Sequence, residues 1–185
     1  THGIGDQLRF VSGAGDFVMV PDPLTYRRLP WTPTTGWLLC DCYLPSGTPV
    51  PVATRDVLRQ AVARLTDRGF TARFGLEVEF HVFRLDDANL RHDNAGRPED
   101  PPQTSLLTHG YQYLTEHRYD VVEEPLQAIR RNAEALGLDV RSMEIEYGPS
   151  QVEMTFAPAD PMTQAEAMIL FRWAARETCR RMGLV

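Results

Sequence analysis

The chain has 185 residues, enough for one substantial domain or for one domain and part of another. At 43% apolar and 24% charged it has the composition of a globular protein, and no apolar run reaches the ~18 residues of a membrane-spanning helix. A formal charge of −6 argues against nucleic acid or an anionic membrane as partner.

The N-terminus has no basic-then-apolar leader pattern. Cys40, Cys42 and Cys179 lack the spacing of a disulfide scaffold or a zinc site, so they read as reduced thiols of a cytoplasmic protein. The chain opens on Thr1 and stops just after a helical pattern, and it therefore reads as a portion of a longer protein.

Residues 1–15 hold four glycines and read as a loop, with no strand before Gly3-x-Gly5 that would make it a dinucleotide fingerprint. Phe17–Val20 predicts a strand stopped by Pro21-Asp22-Pro23, and Gly36–Tyr43 a second strand. Pro49-Val50-Pro51 reads as the exit from a small β-rich unit, which places a domain boundary between residues 1–51 and 52–185. From Thr54, taken as N-cap, the period changes to that of a helix with Val57, Leu58, Ala61, Val62 and Leu65 inward and Gly69 as stop.

A strand follows over roughly Ala72–Arg84, then a polar, proline-bearing surface excursion over 86–103. Tyr119–Leu136 predicts a helix with Val122, Leu126, Ile129 and Ala133 inward and Gly137 as stop. Strands at Asp139–Tyr147 and Gln151–Ala157 flank a Gly148-Pro149-Ser150 turn, and Asp160 or Thr163 caps a last helix reaching about Met182. The order predicts an α+β fold: an antiparallel sheet with helices on one face and the other face open.

That open face is acidic. In FGLEVEFHVF (74–83), Glu77, Glu79 and His81 share the face opposite Leu76, Val78 and Phe80, because side chains alternate along a strand. Ser142, Glu144 and Glu146 oppose Met143, Ile145 and Tyr147, while Gln151, Glu153 and Thr155 oppose Val152, Met154 and Phe156. A hairpin turn at 147–150 sets Glu144 across from Glu153 and Glu146 across from Gln151, so Glu77, Glu79, Glu144, Glu146 and Glu153 can converge.

Like charges across a ladder repel and raise one another's pKa. Oxygen-only ligands suit Mg²⁺ or Mn²⁺ rather than zinc, and such metals serve phosphoryl transfer. A solvated sheet face and a paired glycosidase acid and base are the alternatives. The second needs fewer carboxylates than this face holds. His81, weighed as a metal ligand, reads rather as a surface or supporting residue. The His109-Gly110-Tyr111 stretch fits an approach to a nucleotide or equally a turn before a helix, and Trp31, Trp37 and Trp173 read as packing residues rather than a base-stacking platform.

The stretches VPDPLTYRRLPW (20–31), LLCDCYLPSGTPVP (38–51), RDVLRQAVARLTDRGF (55–70), GLEVEFHVF (75–83) and EYGPSQVEMTF (146–156) resemble the glutamine synthetase family and its glutamate–amine ligase relatives, in the family's order and over most of the chain. The resemblance implies a small β-grasp-like N-terminal domain followed by the first half of the catalytic domain. It implies an enzyme in which ATP phosphorylates the γ-carboxylate of glutamate and ammonia or another amine then displaces phosphate. By position, Glu79, Glu146 and Glu153 would hold the metal nearer the amino acid, with Glu79 and Glu146 catalytic, and Glu77 would hold the metal nearer ATP. Glu144 falls where many members have histidine and stands as an auxiliary group.

A homo-oligomer in the full-length protein belongs to the same expectation. The THGIGDQ opening departs from the Asp-Gly-Ser-Ser-like loop of ammonia-using members, which leaves room for a larger amine. The family's later histidine, arginines and last metal-binding glutamate fall beyond Val185, so this stretch alone is expected to carry half a site and not to turn over. A catalytically silent relative is the rival expectation.

Overall fold

The structure is a computed structural model and describes residues 15–96 and 98–185. The expectations for the opening glycine-rich loop and the THGIGDQ departure fall on residues 1–14, outside the described residues. Contacts divide the chain into two compact units, one ending at Ala72 and the other running Arg73–Val185.

In the first unit β1 (Val18–Pro21) pairs antiparallel with β4 (Cys40–Tyr43), and β2 (Arg27–Arg28) pairs with β3 (Gly36–Trp37). The single strand expected over 36–43 is thus two short ones. Leu38 and Leu39 leave the ladder because Leu39 N–H donates to Thr25 Oγ1 at 2.8 Å and Leu39 O accepts from Asp22 N–H at 2.9 Å. Helix α1 spans Thr54–Thr66, and its N-cap is Ala53, with no side-chain cap, rather than Thr54. It buries none of its residues fully, and Val57, expected inward, is 50% exposed.

The second unit is built on an antiparallel sheet of order β5-β9-β8, from β5 (Phe74–His81), β8 (Val140–Ile145) and β9 (Gln151–Ala159). Its apolar face lies against α2 (Glu116–Ala135) and α3 (Pro161–Arg181). Val122, Leu126, Ile129 and Ala133 of α2 and Val152, Met154 and Phe156 of β9 are buried, as the helical and strand periods predict. Phe171 of α3 sits edge-on to Phe80 at 5.7 Å and to Phe156 at 5.0 Å, which ties the helix to the two paired strands.

Local signals set the helix ends. Asp160 Oδ1 accepts from Met162 N–H at 3.0 Å and Thr163 N–H at 3.1 Å, and Pro161 supplies the first helical residue. Gly137, with φ 87°, closes α2 in the left-handed conformation.

The strand expected over 72–84 breaks at Val82, whose N–H goes to Ser150 O at 3.0 Å. Beyond the break β6 (Phe83–Asp87) turns away from the sheet and pairs with β7 (Gln103–Leu106), so the ends of the expected surface excursion are a hairpin. Among the described residues no helix is long and apolar enough to cross a membrane.

Candidate metal centre

The parity expected from the sequence holds in the ladder. Glu79 faces Glu153 across β5 and β9, Glu144 faces Glu153 across β8 and β9, and Glu77 faces Thr155. Glu153 therefore stands on the central strand with a carboxylate opposite it on either side. Glu146 lies one residue past β8, where its N–H still donates to Gln151 O at 3.0 Å.

Carboxylate oxygens of Glu79, Glu146 and Glu153 come within 4.8 Å of one another, with Glu79 exposed and the other two half-buried. Glu77 and Glu144 stand outside this trio. Glu144 Oε1 accepts from Ser142 Oγ at 2.8 Å, and Glu77 contributes its charge. Alternation assigns all five glutamates to one face, and only the twist and the turn select three.

Burial raises the pKa of Glu153, and a hydrogen bond with Glu146 together with the negative charges of Glu146, Glu144 and Glu77 raises it further, to about 7. With acidic neighbours this close, Glu153 holds its proton well above the ordinary carboxylate range. Among the described residues no ion pair engages Glu79, Glu146 or Glu153. Three convergent, part-exposed carboxylates without a cation partner fit a hard divalent ion that keeps other positions for water or substrate.

His81, considered as a ligand, donates from Nδ1 to the Pro149 carbonyl at 2.8 Å and stacks on Phe83 at 5.6 Å. It braces the turn between β8 and β9. Two residues that carried no expected role also sit at that turn. Ser150 is 1% exposed and has φ 54°, a left-handed conformation uncommon outside glycine. Gln151 reaches Glu79. Nothing in the alternation marks either one beyond being polar.

Tyr111, also left-handed at φ 68°, donates its N–H to Tyr147 O at 2.8 Å, and the two exposed rings meet edge-on at 5.8 Å. The His109-Gly110-Tyr111 stretch is thus pinned to the chain just after Glu146.

The fold is thus a mixed α/β unit that presents a carboxylate trio on an antiparallel sheet. Residues 51–185 match the family model described as glutamine synthetase, catalytic domain, and the chain belongs to the glutamine synthetase family. It is 35% identical over 181 residues to a gamma-glutamylanilide synthase of Acinetobacter sp. and 34% identical over 182 residues to gamma-glutamylethanolamide synthetase GlnA4 of Streptomyces coelicolor. A glutamine synthetase of Methanosarcina mazei is 31% identical over 171 residues.

These matches cover 96%, 93% and 91% of this chain, and the chain spans about 36% of the length of each relative. Among solved structures, GmaS in complex with ADP superposes with a TM-score of 0.77 at 24% identity, over 96% of this chain and 38% of that one. GmaS without ligand superposes equally well, at 23% identity over 100% of this chain and 41% of that one. Those likenesses bear on the fold.

Proposed function

We propose that the full-length protein is an ATP-dependent carbon–nitrogen ligase that joins the γ-carboxyl of glutamate to an amine by way of γ-glutamyl phosphate. The observation that carries this reading is the convergence of Glu79, Glu146 and Glu153 within 4.8 Å on the open face of a family catalytic-domain sheet. In the proposed site these three side chains hold a Mg²⁺ or Mn²⁺ ion, and Glu77, two residues before Glu79 on β5, serves the nucleotide side of the same face. The bound metal supplies charge neutralisation for phosphoryl transfer. The chain's own contribution is to present the oxygens already gathered, with the like-charge repulsion among them offset once the ion replaces the proton on Glu153.

For the acceptor we favour an amine larger than ammonia. Two of the relatives described above carry names of amide products other than glutamine, an anilide and an ethanolamide, and both exceed the identity of the Methanosarcina glutamine synthetase. The division into an N-terminal domain over 1–51 and a catalytic portion over 52–185, a homo-oligomeric assembly and a cytoplasmic setting belong to the same reading and rest on the resemblance. The family model begins at residue 51, and the contacts group α1 with the first unit.

The test is phosphate release by the full-length protein with ATP, Mg²⁺ and glutamate, across ammonium and a panel of alkyl, hydroxyalkyl and aryl primary amines. Release with a larger amine is the expected result. Release with ammonium alone would return the protein to glutamine synthesis, and silence with every amine would favour the catalytically silent relative.

A further inference from the structure

The turn between β8 and β9 holds a side chain whose two polar ends are both committed. Gln151 Oε1 accepts from Gly148 N–H at 2.8 Å, and Gln151 Nε2 donates to Glu79 Oε2 at 2.5 Å. The orientation of the amide follows from its partners, because a backbone N–H can only donate and an ionised carboxylate can only accept. Glu79 lies two residues along β5 from His81, the residue directly opposite Gln151. That is the diagonal distance a long side chain can cross.

The turn is shaped for this arrangement. A Cβ at Gly148 would lie 2.4 Å from Gln151 Oε1, so glycine leaves the space the folded-back amide occupies. Gly148 is not among the positive-φ glycines, so its place there is a matter of room rather than of backbone conformation. Ser150 fixes the turn from below. Its hydroxyl accepts from Leu107 N–H at 2.9 Å and Thr108 N–H at 3.2 Å, and its carbonyl accepts from Val82 N–H at 3.0 Å. The base from which Gln151 reaches out is therefore buried and held by two other segments.

We propose that Gln151 is the positioning residue of the carboxylate trio, acting through Glu79. Glu79 is the exposed member and faces Glu153 directly, so repulsion drives its flexible side chain toward solvent. A charge-assisted hydrogen bond from a donor that the turn already holds keeps Glu79 over the other two. Glu146 and Glu153 need no such help, since they flank the same turn. The inference rests on reading the trio as a metal site, and it adds a residue that touches neither metal nor substrate.

The experiment measures Mn²⁺ binding to the full-length protein by titration with electron paramagnetic resonance of the free ion, alongside thermal melting without metal. Gln151→Leu should weaken binding about 10–100-fold, the range typical of partners that orient a metal ligand. Gly148→Ala keeps every carboxylate and Gln151 itself, yet evicts the amide, and should weaken binding to the same degree. The double variant should be no weaker than either single, because both remove one interaction. A purely structural role predicts lowered melting with unchanged Mn²⁺ affinity in the folded protein, or additive losses in the double variant, and either overturns the proposal. Wild-type protein that takes up no Mn²⁺ overturns the metal reading and this inference with it. Wild type that binds while both single variants bind equally well overturns the inference alone.

Discussion

Asp22, Asp41 and Asp56 in the first unit and Glu79, Glu146 and Glu153 in the second are acid clusters of the same size and opposite character. In the first, Arg55 bridges Asp22 at 2.5 Å and Asp41 at 2.8 Å, while Arg59 reaches Asp41 at 3.0 Å and Asp56 at 3.4 Å. The Arg55 hydrogen bond and then that of Leu24 N–H hold Asp22 below its ordinary pKa. Burial works to raise Asp41, but hydrogen bonds from Arg59 and Arg55 outweigh it and its pKa also falls. In the second cluster burial and neighbouring carboxylates act together, and Glu153 rises to about 7. In the first network each acid has an arginine partner. Among the described residues no ion pair joins the second, and in the proposed reading a metal cation takes that place.

Removing an acid should sharpen the contrast most. Glu146→Gln in the full-length protein should lower Mn²⁺ affinity and amide formation by more than ~100-fold, beyond the loss typical of an outer partner, because a direct oxygen is lost. Asp41→Asn should leave both unchanged. Equal effects of the two substitutions, read by Mn²⁺ titration and phosphate release, would erase the distinction.

Proton competition comes next in size. The cation must displace a proton from a group titrating at about 7, so Mn²⁺ affinity should fall about tenfold for each pH unit below that value. Titrations at stepwise pH between 5.5 and 8 (about the span needed to bracket the group) check this. A flat profile would remove Glu153 from the site.

Stability responds to pH in opposite senses. The folded pKa of Glu153 lies above its ordinary 4.5, so its contribution is fully present below 4.5 and is lost as pH rises through about 7. Asp22 and Asp41 have folded pKa values below 3.8, so their contribution is present above 3.8 and is lost as pH falls through the lowered values. Urea melts of the metal-free protein should show both slopes, and Glu153→Gln should abolish only the first.

Smallest are the stability changes at neutral pH. Asp41→Asn should lower stability by about 1 kcal/mol. That figure is already discounted for the 24% exposure of the Asp41 side chain. Glu153→Gln should raise the melting temperature of the metal-free protein, because it relieves repulsion. A loss at both positions, measured by thermal melting, would mean that the second cluster is structurally satisfied after all.

Much of this was legible from local rules. Period-two alternation put the five glutamates on one face and Val152, Met154 and Phe156 on the other. Helical spacing found the buried stripe Val122, Leu126, Ile129 and Ala133, and capping chemistry found Asp160 and Gly137. The same rules placed Glu144 opposite Glu153, since a hairpin of known turn length has a fixed register. Each of these depends on neighbours within a few residues or on one turn, and that information is written along the chain.

Selection among the face's residues depended on distant partners. Glu79, Glu146 and Glu153 gather while Glu77 and Glu144 do not, because twist and turn geometry set oxygen positions that alternation cannot distinguish. Val82 ends β5 because Ser150, far along the chain, takes its N–H, and Leu39 leaves its strand because Thr25 and Asp22 claim its backbone. Gln151 becomes the brace of Glu79 only when β9 lies beside β5 and Gly148 leaves room for the amide. Which face is acidic follows from the order of residues alone, because strand periodicity is a property of the backbone. Which acids meet, and what holds them, follows only from the fold, because those distances depend on segments that are neighbours only in the folded chain.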